Sequence, residues 1–409
     1  MQLHSSIIKT FAPDWPDEVP HCIGYAEIVH RAYAGEDLSE ITRALVARVS
    51  GPVVDLGAVL DLSYLLQLQG GELAVEGRVM QLGALRLQKT YQIRHGSGLG
   101  PRILAFVTAG DFMANTPIDF LLHGSDAVLI LHFVSAETET LAELPPHDVA
   151  FMAIGEAPQN AGVLRRMAVL LEGWPRPIFN NAPGMIANLG RDCVSALLAD
   201  EPSILAPRTV RVSRAALVGF AMGEPLAAVE FPVILRPIGS HAGAGMRLIT
   251  TCAELADWLR ASAEAEVYMV PFVDYRGADG FYSKARVVQI AGKPFASHLA
   301  RSHHWMVHYL NADMTTNPDR RAAEGLWMTG FDQDFAQRHA AAFAALHRIF
   351  GLDYFAIDCA EMPDGRLLVF EVDVAMIVHD MDDAGVFPYK KPVMHKLMAG
   401  FLAAIEAAQ

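Results

Sequence analysis

The chain has 409 residues, of which 52% are hydrophobic and 19% charged, a composition that excludes an intrinsically disordered protein. One hydrophobic core seldom organises a chain of this length, so we expect two to four domains. The formal net charge of −14 argues against nucleic acid and anionic membranes as partners, although it leaves room for a local basic pocket.

The cysteines and the apolar runs indicate where such a chain resides. Cys22, Cys193, Cys252 and Cys359 are scattered without the spacing of a metal site, which favours reduced thiols over a disulfide framework. The first residues lack a signal-peptide pattern, and runs such as residues 126–134 are too short to cross a bilayer as a helix. We therefore predict a soluble, cytoplasmic protein.

The first half of the chain changes its pattern near residue 95. Residues 20–92 carry apolar side chains at helical spacing, which predicts a helical N-terminal region. From residue 102, short apolar runs end in polar or glycine residues, a pattern typical of a parallel sheet covered on both faces. Polar residues just beyond such strands tend to face a ligand. Asp111 and Asn115 are therefore candidate substrate residues.

The second half, from about residue 203, has longer strand candidates and predicts an α+β arrangement with antiparallel pairing. Its last hairpin is predicted to turn at Asp364-Gly365. That turn places Asp358 opposite Glu371 and puts Asp373 on the same face. Buried carboxylates are costly unless compensated. Two readings stay open: hard oxygen ligands for Mg²⁺, or partners in salt bridges with Arg or Lys.

A glycine-rich loop follows the strand that ends near Arg236. Gly239, Gly243 and Gly245 would let backbone amides converge on an anion, and the Ser240 hydroxyl can add a donor. The stretch is neither a Walker A loop nor a Rossmann fingerprint. The alternative reading is a flexible hairpin loop.

A third polar stretch, residues 279–314, alternates basic and apolar residues as a strand lining a site does. Its basic residues are Lys284, Arg286 and Arg301. Histidines also crowd this stretch, but no cysteine or helical His-Glu-x-x-His pattern accompanies them, so phosphate and carboxylate recognition is favoured over zinc.

Taken in order, these elements resemble the ATP-grasp superfamily, in which a glycine-rich loop covers the triphosphate and a distal hairpin supplies ligands to two Mg²⁺ ions. Residues 231–245 match the loop, 266–273 the linker that holds adenine, and 357–373 the metal hairpin. Residues 188–198 resemble a helix start in the domain that precedes the ATP-grasp fold. The resemblance covers about residues 100–392.

The resemblance implies a fold that combines α/β and α+β parts. A Rossmann-like pre-ATP-grasp domain would span residues 96–202, after a helical N-terminal region at 1–95. The ATP-grasp fold would follow, with an N-terminal subdomain at 203–275 that carries the glycine-rich loop. A C-terminal subdomain at 276–409 would carry the metal hairpin.

The resemblance also assigns residues. Asp358, Glu371 and Asp373 fall at the metal ligands, with Asp373 in place of the usual asparagine. Arg191 and Arg236 stand where the family usually has two phosphate-binding lysines. The catalytic contacts to the transferred phosphate would be Arg286 and Arg301. The other nucleotide positions are Ser240, His241, Gly243, Gly245, Met269, Val270, Phe272 and Lys284. Pro271 stands where an acidic ribose contact is common.

The implied activity is that of an ATP- and Mg²⁺-dependent ligase, with two Mg²⁺ ions. It would convert a small-molecule carboxylate into an acyl phosphate and join it to an amine, such as an amino acid or peptide, releasing ADP. Candidate substrate residues are Asp111, Asn115, His303, His304, His308, Asn311, His379 and Lys390. The N-terminal region can contact substrate, pair subunits in a homodimer, or only pack.

Two other functions stay open: an ATP-grasp kinase acting on a hydroxyl, and a catalytically silent nucleotide-binding protein. If the hairpin carboxylates repel one another in the metal-free protein, Glu371→Gln should leave its melting temperature unchanged or raised. In the ligase, Arg236→Ala should raise the KM for ATP and Arg301→Ala should lower kcat.

Overall fold

The fold is described from a computed structural model, which covers residues 19–142, 144–226, 229–240 and 243–408. Its strands form three sheets, and helices cover them, so the predicted mixed α/β class is confirmed. Among the described residues, no helix has both the length and the apolar character that a membrane span requires.

The N-terminal region is helical, as predicted, but two short strands flank the helices. The helices are α1 (Tyr25–Tyr33), α2 (Ser39–Val49), α3 (Leu56–Leu68) and α4 (Gly71–Leu87), and the strands are β1 (His21–Cys22) and β2 (Thr90–Arg94). Tyr91, Gln92 and Ile93 in β2 are all buried, so this short strand lacks the alternation that would have revealed it. It pairs with the first sheet, and the predicted break at residue 95 therefore falls just after a strand of that sheet.

The first sheet has the order β1-β2-β4-β3-β5-β6. Its remaining strands are β3 (Arg102–Val107), β4 (Val128–Phe133), β5 (Val149–Met152) and β6 (Ile178–Phe179). The helices that follow these strands are α5 (Ile118–Leu121), α6 (Ala161–Leu170), α7 (Pro183–Ile186) and α8 (Arg191–Leu197). β3, β4, β5 and β6 run parallel, as the buried apolar runs predicted, and β1 and β2 pair parallel with each other but run opposite to them.

The second sheet is smaller and antiparallel, with the order β10-β9-β11-β8. Its strands are β8 (Val210–Ser213), β9 (Val233–Pro237), β10 (Arg247–Ile249) and β11 (Glu266–Pro271), and its helices are α9 (Arg214–Ala221) and α10 (Cys252–Ala261). These elements have an apolar core of their own, which includes Val233, Leu235, Leu255 and Met269.

The third sheet has the order β13-β12-β14-β15-β7. Its strands are β7 (Ile204–Leu205), β12 (Tyr282–Ile290), β13 (Lys293–Ser302), β14 (Tyr354–Glu361) and β15 (Leu367–Asp373). The associated helices are α11 (Pro318–Gly330), α12 (Phe335–Arg338), α13 (Ala340–Phe350) and α14 (Lys390–Ala407). Strand β7 pairs parallel to β15, so its two residues join this sheet rather than the second sheet that follows them in the chain.

The first and third sheets share one apolar core. Ring centroids of Phe151, Tyr354 and Phe401 lie 5.6–6.2 Å apart where the two sheets meet. The side chain of Asn180, just after β6, donates to the Tyr354 carbonyl and accepts from the Tyr354 amide, both at 2.7 Å. This contact fixes the start of β14 against the first sheet and thereby sets the position of the last hairpin.

Candidate functional site

The β14–β15 hairpin has the pairing that the sequence predicted at its carboxylates: Asp358 lies opposite Glu371 and Ala356 opposite Asp373. The turn itself differs from the prediction. The Met362 amide donates to the Arg366 carbonyl. The loop between these two residues therefore holds three residues rather than two. A bulge at Phe370 restores the predicted alignment, because a bulge absorbs one extra residue in one strand.

Two of the three carboxylates are paired with basic side chains. Asp358 accepts from Arg286 Nε at 2.9 Å and Nη2 at 3.3 Å, and lies 2.7 Å from Lys284 Nζ. Burial acts to raise the pKa of Asp358, but Arg286 and Lys284 outweigh it and hold the pKa well below its usual value. Burial likewise opposes the ionisation of Glu371, yet Arg191 and Arg236 lower its pKa to about 2.

This pairing corrects the expectation for Glu371→Gln. Repulsion among the carboxylates is offset in the metal-free protein, because Glu371 forms an ion pair with Arg191. Removing the acid would leave the partly buried Arg191 guanidinium without its carboxylate partner. The substitution should therefore destabilise the metal-free protein.

Asp373 differs from the other two carboxylates. It accepts a hydrogen bond from the Ala375 amide at 2.8 Å, and within the described part of the chain no Arg or Lys lies at ion-pair distance from it. Burial, and next the charge of Glu371, raise its pKa to about 7. Asp373 is thus a carboxylate that a divalent cation would relieve.

Arg191 and Arg236 lie together at the centre of this site. Arg191 begins α8, donates from Nη1 to the Phe370 carbonyl at 3.0 Å and is paired with Glu371. Burial, and next the neighbouring Arg191, lower the pKa of Arg236 to about 10. Like charges held close in a low-dielectric surrounding favour an anion between them. The role predicted for both arginines, binding of nucleotide phosphate, stays a prediction.

A cavity between the second and third sheets opens onto these guanidiniums. Its basic and acidic side chains gather at one end and are Arg191, Arg236, Lys284 and Glu371. Its other walls are mostly apolar and include Ile234, Val270, Phe272, Trp305 and Val307. Of the predicted linker residues, Val270 and Phe272 line this cavity. Met269 is instead fully buried in the core of the second sheet.

A second cavity shares Arg191, Arg236, Tyr268 and Glu371 with the first. It extends to Asp373 and to Glu156, which follows β5. The two cavities adjoin at these four residues, and we call the two together the groove. Residues that line only the first cavity are mostly apolar, the shared residues include both guanidiniums, and Asp373 and Glu156 line only the second cavity.

The glycine-rich loop borders this groove. Gly239, Gly243 and Gly245 have φ values of 73°, 75° and 70°, a conformation that favours glycine. The hydroxyl of Ser240 accepts from Arg236 Nε at 3.2 Å, and its carbonyl accepts from the same guanidinium. His241, a predicted nucleotide contact, lies outside the described residues.

Arg301 does not lie with Lys284, Arg286 and Asp358. This corrects its catalytic assignment. Arg301 is paired with Ser283, so it lies on the opposite face of the sheet from Lys284 and Arg286. There it forms an ion pair with Asp279 and stacks 4.5 Å from the Phe281 ring centroid. Arg286, by contrast, lies directly opposite Asp358.

The two candidate substrate residues of the first sheet lie in a different cavity, beside Tyr25 and Phe112. Asn115 is bonded through both amide atoms to the backbone of Thr108. Asp111 accepts from the Met113 amide at 2.9 Å. These contacts are local, and the structure does not bring either residue to the hairpin.

The candidate substrate residues between 303 and 311 lie in different surroundings. His303 packs on Phe281, beside Arg301, and His304 accepts from a nearby amide. His308 and Asn311 cap each other across a 3₁₀ turn. Burial, and next the charges of Lys284 and Arg286, lower the pKa of His308, so of these residues the structure links His308 to the basic cluster.

The last two candidates lie beyond the hairpin. Lys390 is buried, with Nζ 3.1 Å from Asp382 and 3.8 Å from Glu324, and packs 4.1 Å from the Tyr309 ring centroid. His379 is close enough to Lys390 for that charge, after burial, to lower its pKa. Both therefore belong to a packed ionic network next to the site.

Three residues of the site were not among the residues that the sequence assigned to it. Tyr268 lines both cavities and its hydroxyl accepts from Arg211 at 3.1 Å. Glu156 follows a predicted strand end, which was the available signal. His298 lies opposite Arg286, and only the register of the β12–β13 hairpin reveals this position.

Comparisons with known proteins bear on the fold. No protein-family model matches the sequence, and no curated protein matches it. Similar solved structures are ATP-grasp proteins, the superfamily that the sequence motifs resemble.

Three of these structures show the extent of the similarity. D-alanine–D-alanine ligase from Bacillus anthracis, complexed with ATP, is 12% identical, covers 76% of this chain and 96% of its own, and has a TM-score of 0.43. VanG D-Ala:D-Ser ligase from Enterococcus faecalis is 12% identical over 74% of this chain and 99% of its own, with a TM-score of 0.45. The ATP-grasp ligase PsnB, complexed with minimal precursor, Mg and ADP, is 16% identical over 73% of this chain and 98% of its own, with a TM-score of 0.41.

Proposed function

We propose that the chain is an ATP- and Mg²⁺-dependent ligase that activates a carboxylate as an acyl phosphate and joins it to an amine, with ADP and phosphate as products. The observation that carries the proposal is the order of groups along the groove. An apolar end leads to two partly buried guanidiniums and then to a carboxylate, Asp373, that has no basic partner among the described residues.

The apolar end would hold the adenine ring. Val270 lies in β11 and Phe272 directly after it. Trp305 faces the cavity from the segment after β13. Aromatic and aliphatic side chains bury a flat heterocycle favourably, and a few polar groups then set its orientation. Pro271 occupies the position of the usual ribose contact, and the nearby Asp274 and Asp279 are each paired with an arginine.

The basic middle of the groove would hold the phosphates. Arg191, Arg236 and Lys284 line it, and the glycine-rich loop borders it at Gly239 and Ser240. A phosphate placed between Arg191 and Arg236 relieves the repulsion that lowers the pKa of Arg236. Arginine at both positions provides bidentate contacts that lysine cannot make.

The hairpin carboxylates fit a divalent cation. Asp373 and Glu371 share a face of β15 and border the same cavity, and Asp358 is paired across the ladder. Mg²⁺ prefers such oxygen ligands together with substrate phosphates, and when bound it supplies charge neutralisation on those phosphates. We assign Asp373 and Glu371 as direct ligands. Asp358 would reach an ion only after exchanging its contacts with Arg286 and Lys284, and a second ion would require this exchange.

The chain's own residues would then perform the transfer. Arg286 lies opposite Asp358, and we assign to it the stabilisation of charge on the phosphoryl group as that group moves to the substrate carboxylate. The amine nitrogen then attacks the acyl carbon, the carbon–oxygen bond to phosphate breaks, and the amine loses a proton. Closure of the loop around Gly239 would exclude water, which otherwise hydrolyses the acyl phosphate.

The test is a product analysis. The purified chain is incubated with ATP labelled at the γ-phosphate, Mg²⁺ and pooled amino acids, and nucleotides and condensed products are measured by mass spectrometry. We expect ADP, phosphate and a product lighter than its two components by one water. Hydroxylamine in place of the amine should trap the acyl phosphate as a hydroxamate.

Other outcomes would contradict this function. Formation of AMP and pyrophosphate would indicate adenylation instead. A phosphorylated hydroxyl compound would indicate a kinase. Nucleotide binding without turnover on any pool would favour a silent nucleotide-binding protein. At ATP concentrations below the wild-type KM, Arg236→Met provides the control, because any product that depends on the site should fall with the loss of nucleotide binding.

A further inference from the structure

A cluster of two histidines and one aspartate lies outside the groove. It consists of His30 on α1, His123 just after α5 and Asp380 in the segment that follows β15, and one ligand atom from each lies within 4.8 Å of the others. These residues come from three distant parts of the sequence. The proposed ligase reaction uses none of them.

The backbone explains why the two histidines meet. The Asp119 carboxylate accepts from the Ala26 amide at 2.7 Å and so anchors the first turn of α1 beside α5. His30 and His123 each follow these anchor residues by four positions in sequence. Their rings consequently pack at a tilt, with centroids 4.2 Å apart, and Asp380 lies beside both.

The spacing of the polar atoms is that of metal ligands. His30 Nε2 lies 3.4 Å from Asp380 Oδ1, and His123 Nδ1 lies 3.2 Å from Asp380 Oδ2. Nitrogen and oxygen ligands about 2.0–2.1 Å from a tetrahedral ion are roughly 3.3 Å from one another. The two observed separations are close to that value, and each runs to a different oxygen of the Asp380 carboxylate.

Two of these atoms also lack a hydrogen bond to any residue that the structure describes. They are His30 Nε2 and Asp380 Oδ1, which are both buried and face each other. A buried polar group without a partner is costly. A cation placed between the two atoms would satisfy both at once.

We propose that His30, His123 and Asp380 bind one divalent transition-metal ion of the Zn²⁺ class. Imidazole nitrogen suits zinc, nickel, cobalt or copper, whereas Mg²⁺ prefers oxygen ligands alone, so this site and the hairpin select different metals. His395 on α14 lies 2.9 Å from Asp380 Oδ2, where it would orient the ligating carboxylate as an outer-shell partner. The metal would fasten α1 to the segment that continues from the hairpin.

The test is zinc binding by the full-length chain. The protein is stripped with a chelator and titrated with Zn²⁺ by calorimetry in saturating Mg²⁺, which occupies oxygen-only sites. We expect one Zn²⁺ per chain. His30→Gln and His123→Asn, which keep side-chain bulk, should each weaken binding more than about 100-fold, whereas His395→Gln should cost about 10- to 100-fold, as outer-shell changes do.

His339→Gln is the matched control. His339 is also buried, with Nε2 3.5 Å from the carboxylate of Glu361, but it belongs to no such cluster among the described residues. The His339→Gln variant should bind Zn²⁺ with the affinity of the wild type. Equal affinity in the wild type and the His30 and His123 variants, or no stoichiometric binding by the wild type, would overturn the proposal.

A second measurement covers variants that fail to fold. In the wild type, bound Zn²⁺ should protect His30 and His123, but not the exposed His304, from acylation by diethyl pyrocarbonate, as read by mass spectrometry. Co²⁺ should give the intense visible absorption of a tetrahedral site. Unprotected histidines at saturating Zn²⁺ would reject the assignment. None of these readouts depends on ligase activity.

Discussion

Glu371 and Asp373 lie two residues apart on one face of β15, yet their surroundings favour opposite charge states. Arg191 holds Glu371 ionised, with a pKa of about 2, whereas burial beside Glu371 raises the pKa of Asp373 to about 7. Near neutral pH the pair therefore carries between one and two negative charges. Binding of a divalent cation would favour loss of the Asp373 proton, so that the pair carries two negative charges.

The first prediction concerns stability and pH. The pKa of Asp373 rises from the ordinary 3.8 to about 7 on folding, so between about pH 4 and pH 7 the folded state retains a proton that the unfolded state has released. The free energy of unfolding of the metal-free protein should fall as pH rises through this window. Asp373→Asn should make that slope less negative by up to about 1.4 kcal/mol per pH unit, measured by denaturant unfolding.

Asp61 must be separated from this effect. Burial raises its pKa to about 7 as well, so it contributes a slope of the same sign. The difference between wild type and Asp373→Asn isolates Asp373, because Asp61 is present in both. Parallel curves for the two proteins would show that Asp373 titrates normally.

The second prediction concerns Glu371→Gln in the metal-free protein. The change leaves Arg191 without its carboxylate and beside Arg236, so the free energy of unfolding should fall. We expect a loss of roughly 1–3 kcal/mol, less than for a fully buried pair, because 16% of Arg191 and 25% of Glu371 remain exposed. Thermal and denaturant unfolding measure it.

A double variant controls for this effect. Arg191→Met combined with Glu371→Gln removes both charges and should recover much of the stability that the single variant loses. If Glu371→Gln were as stable as the wild type, the Arg191 pair would contribute nothing and carboxylate repulsion would be the dominant effect.

The third prediction concerns nucleotide affinity. Arg236→Met should weaken ATP binding about 10- to 100-fold, as expected when a charge-assisted phosphate contact is removed, with kcat nearly unchanged. Arg236→Lys keeps the charge but loses the fork geometry, so its affinity should lie between those of the other two proteins. Calorimetry with a non-hydrolysable ATP analogue measures this. A fall in kcat at unchanged affinity would place Arg236 in the transfer step instead.

The fourth prediction uses two arginines on opposite faces of one sheet. Arg286→Met should lower kcat by about 10²-fold or more, in line with the removal of other charge-stabilising donors. The fold should survive because Lys284 still pairs with Asp358. Arg301→Met is the matched control and should turn over at nearly the wild-type rate. Comparable losses in both variants would mean that the two faces do not differ in function.

The contrast between these arginines shows where sequence reasoning stops. Ala291 and Gly292 form the turn of the β12–β13 hairpin, with φ values of 47° and 77°. Counting outward from that turn correctly pairs Ile290 with Lys293. If the same pairing continued along the strands, Arg301 would lie on the same face as Arg286. A bulge absorbs Ser297, and every later residue of β13 is displaced by one. Nothing in the local sequence marks that bulge.

The carboxylate hairpin shows the opposite outcome. The predicted two-residue turn was wrong by one position, and the bulge at Phe370 shifted the pairing back, so Asp358 and Glu371 met as predicted. The carboxylate face followed from residue alternation, which sequence reveals. Which arginine pairs with which carboxylate depends on contacts between the sheets, and Arg191 reaches Glu371 from the helix that follows the first sheet.

The two bulges have a consequence for aligning this chain with others. Ser297 and Phe370 are the extra residues, and both lie beside the rung that joins Arg286 to Asp358. A related chain that lacks one of these bulge residues would still form the same strand pairs before and after the bulge. Such a difference in length would appear as a one-residue gap inside a strand, where gaps are normally taken as errors. In this fold that gap would mark the point at which the backbone bends around the site, and a chain without a residue at Phe370 would no longer offer Arg191 the carbonyl that accepts from it here.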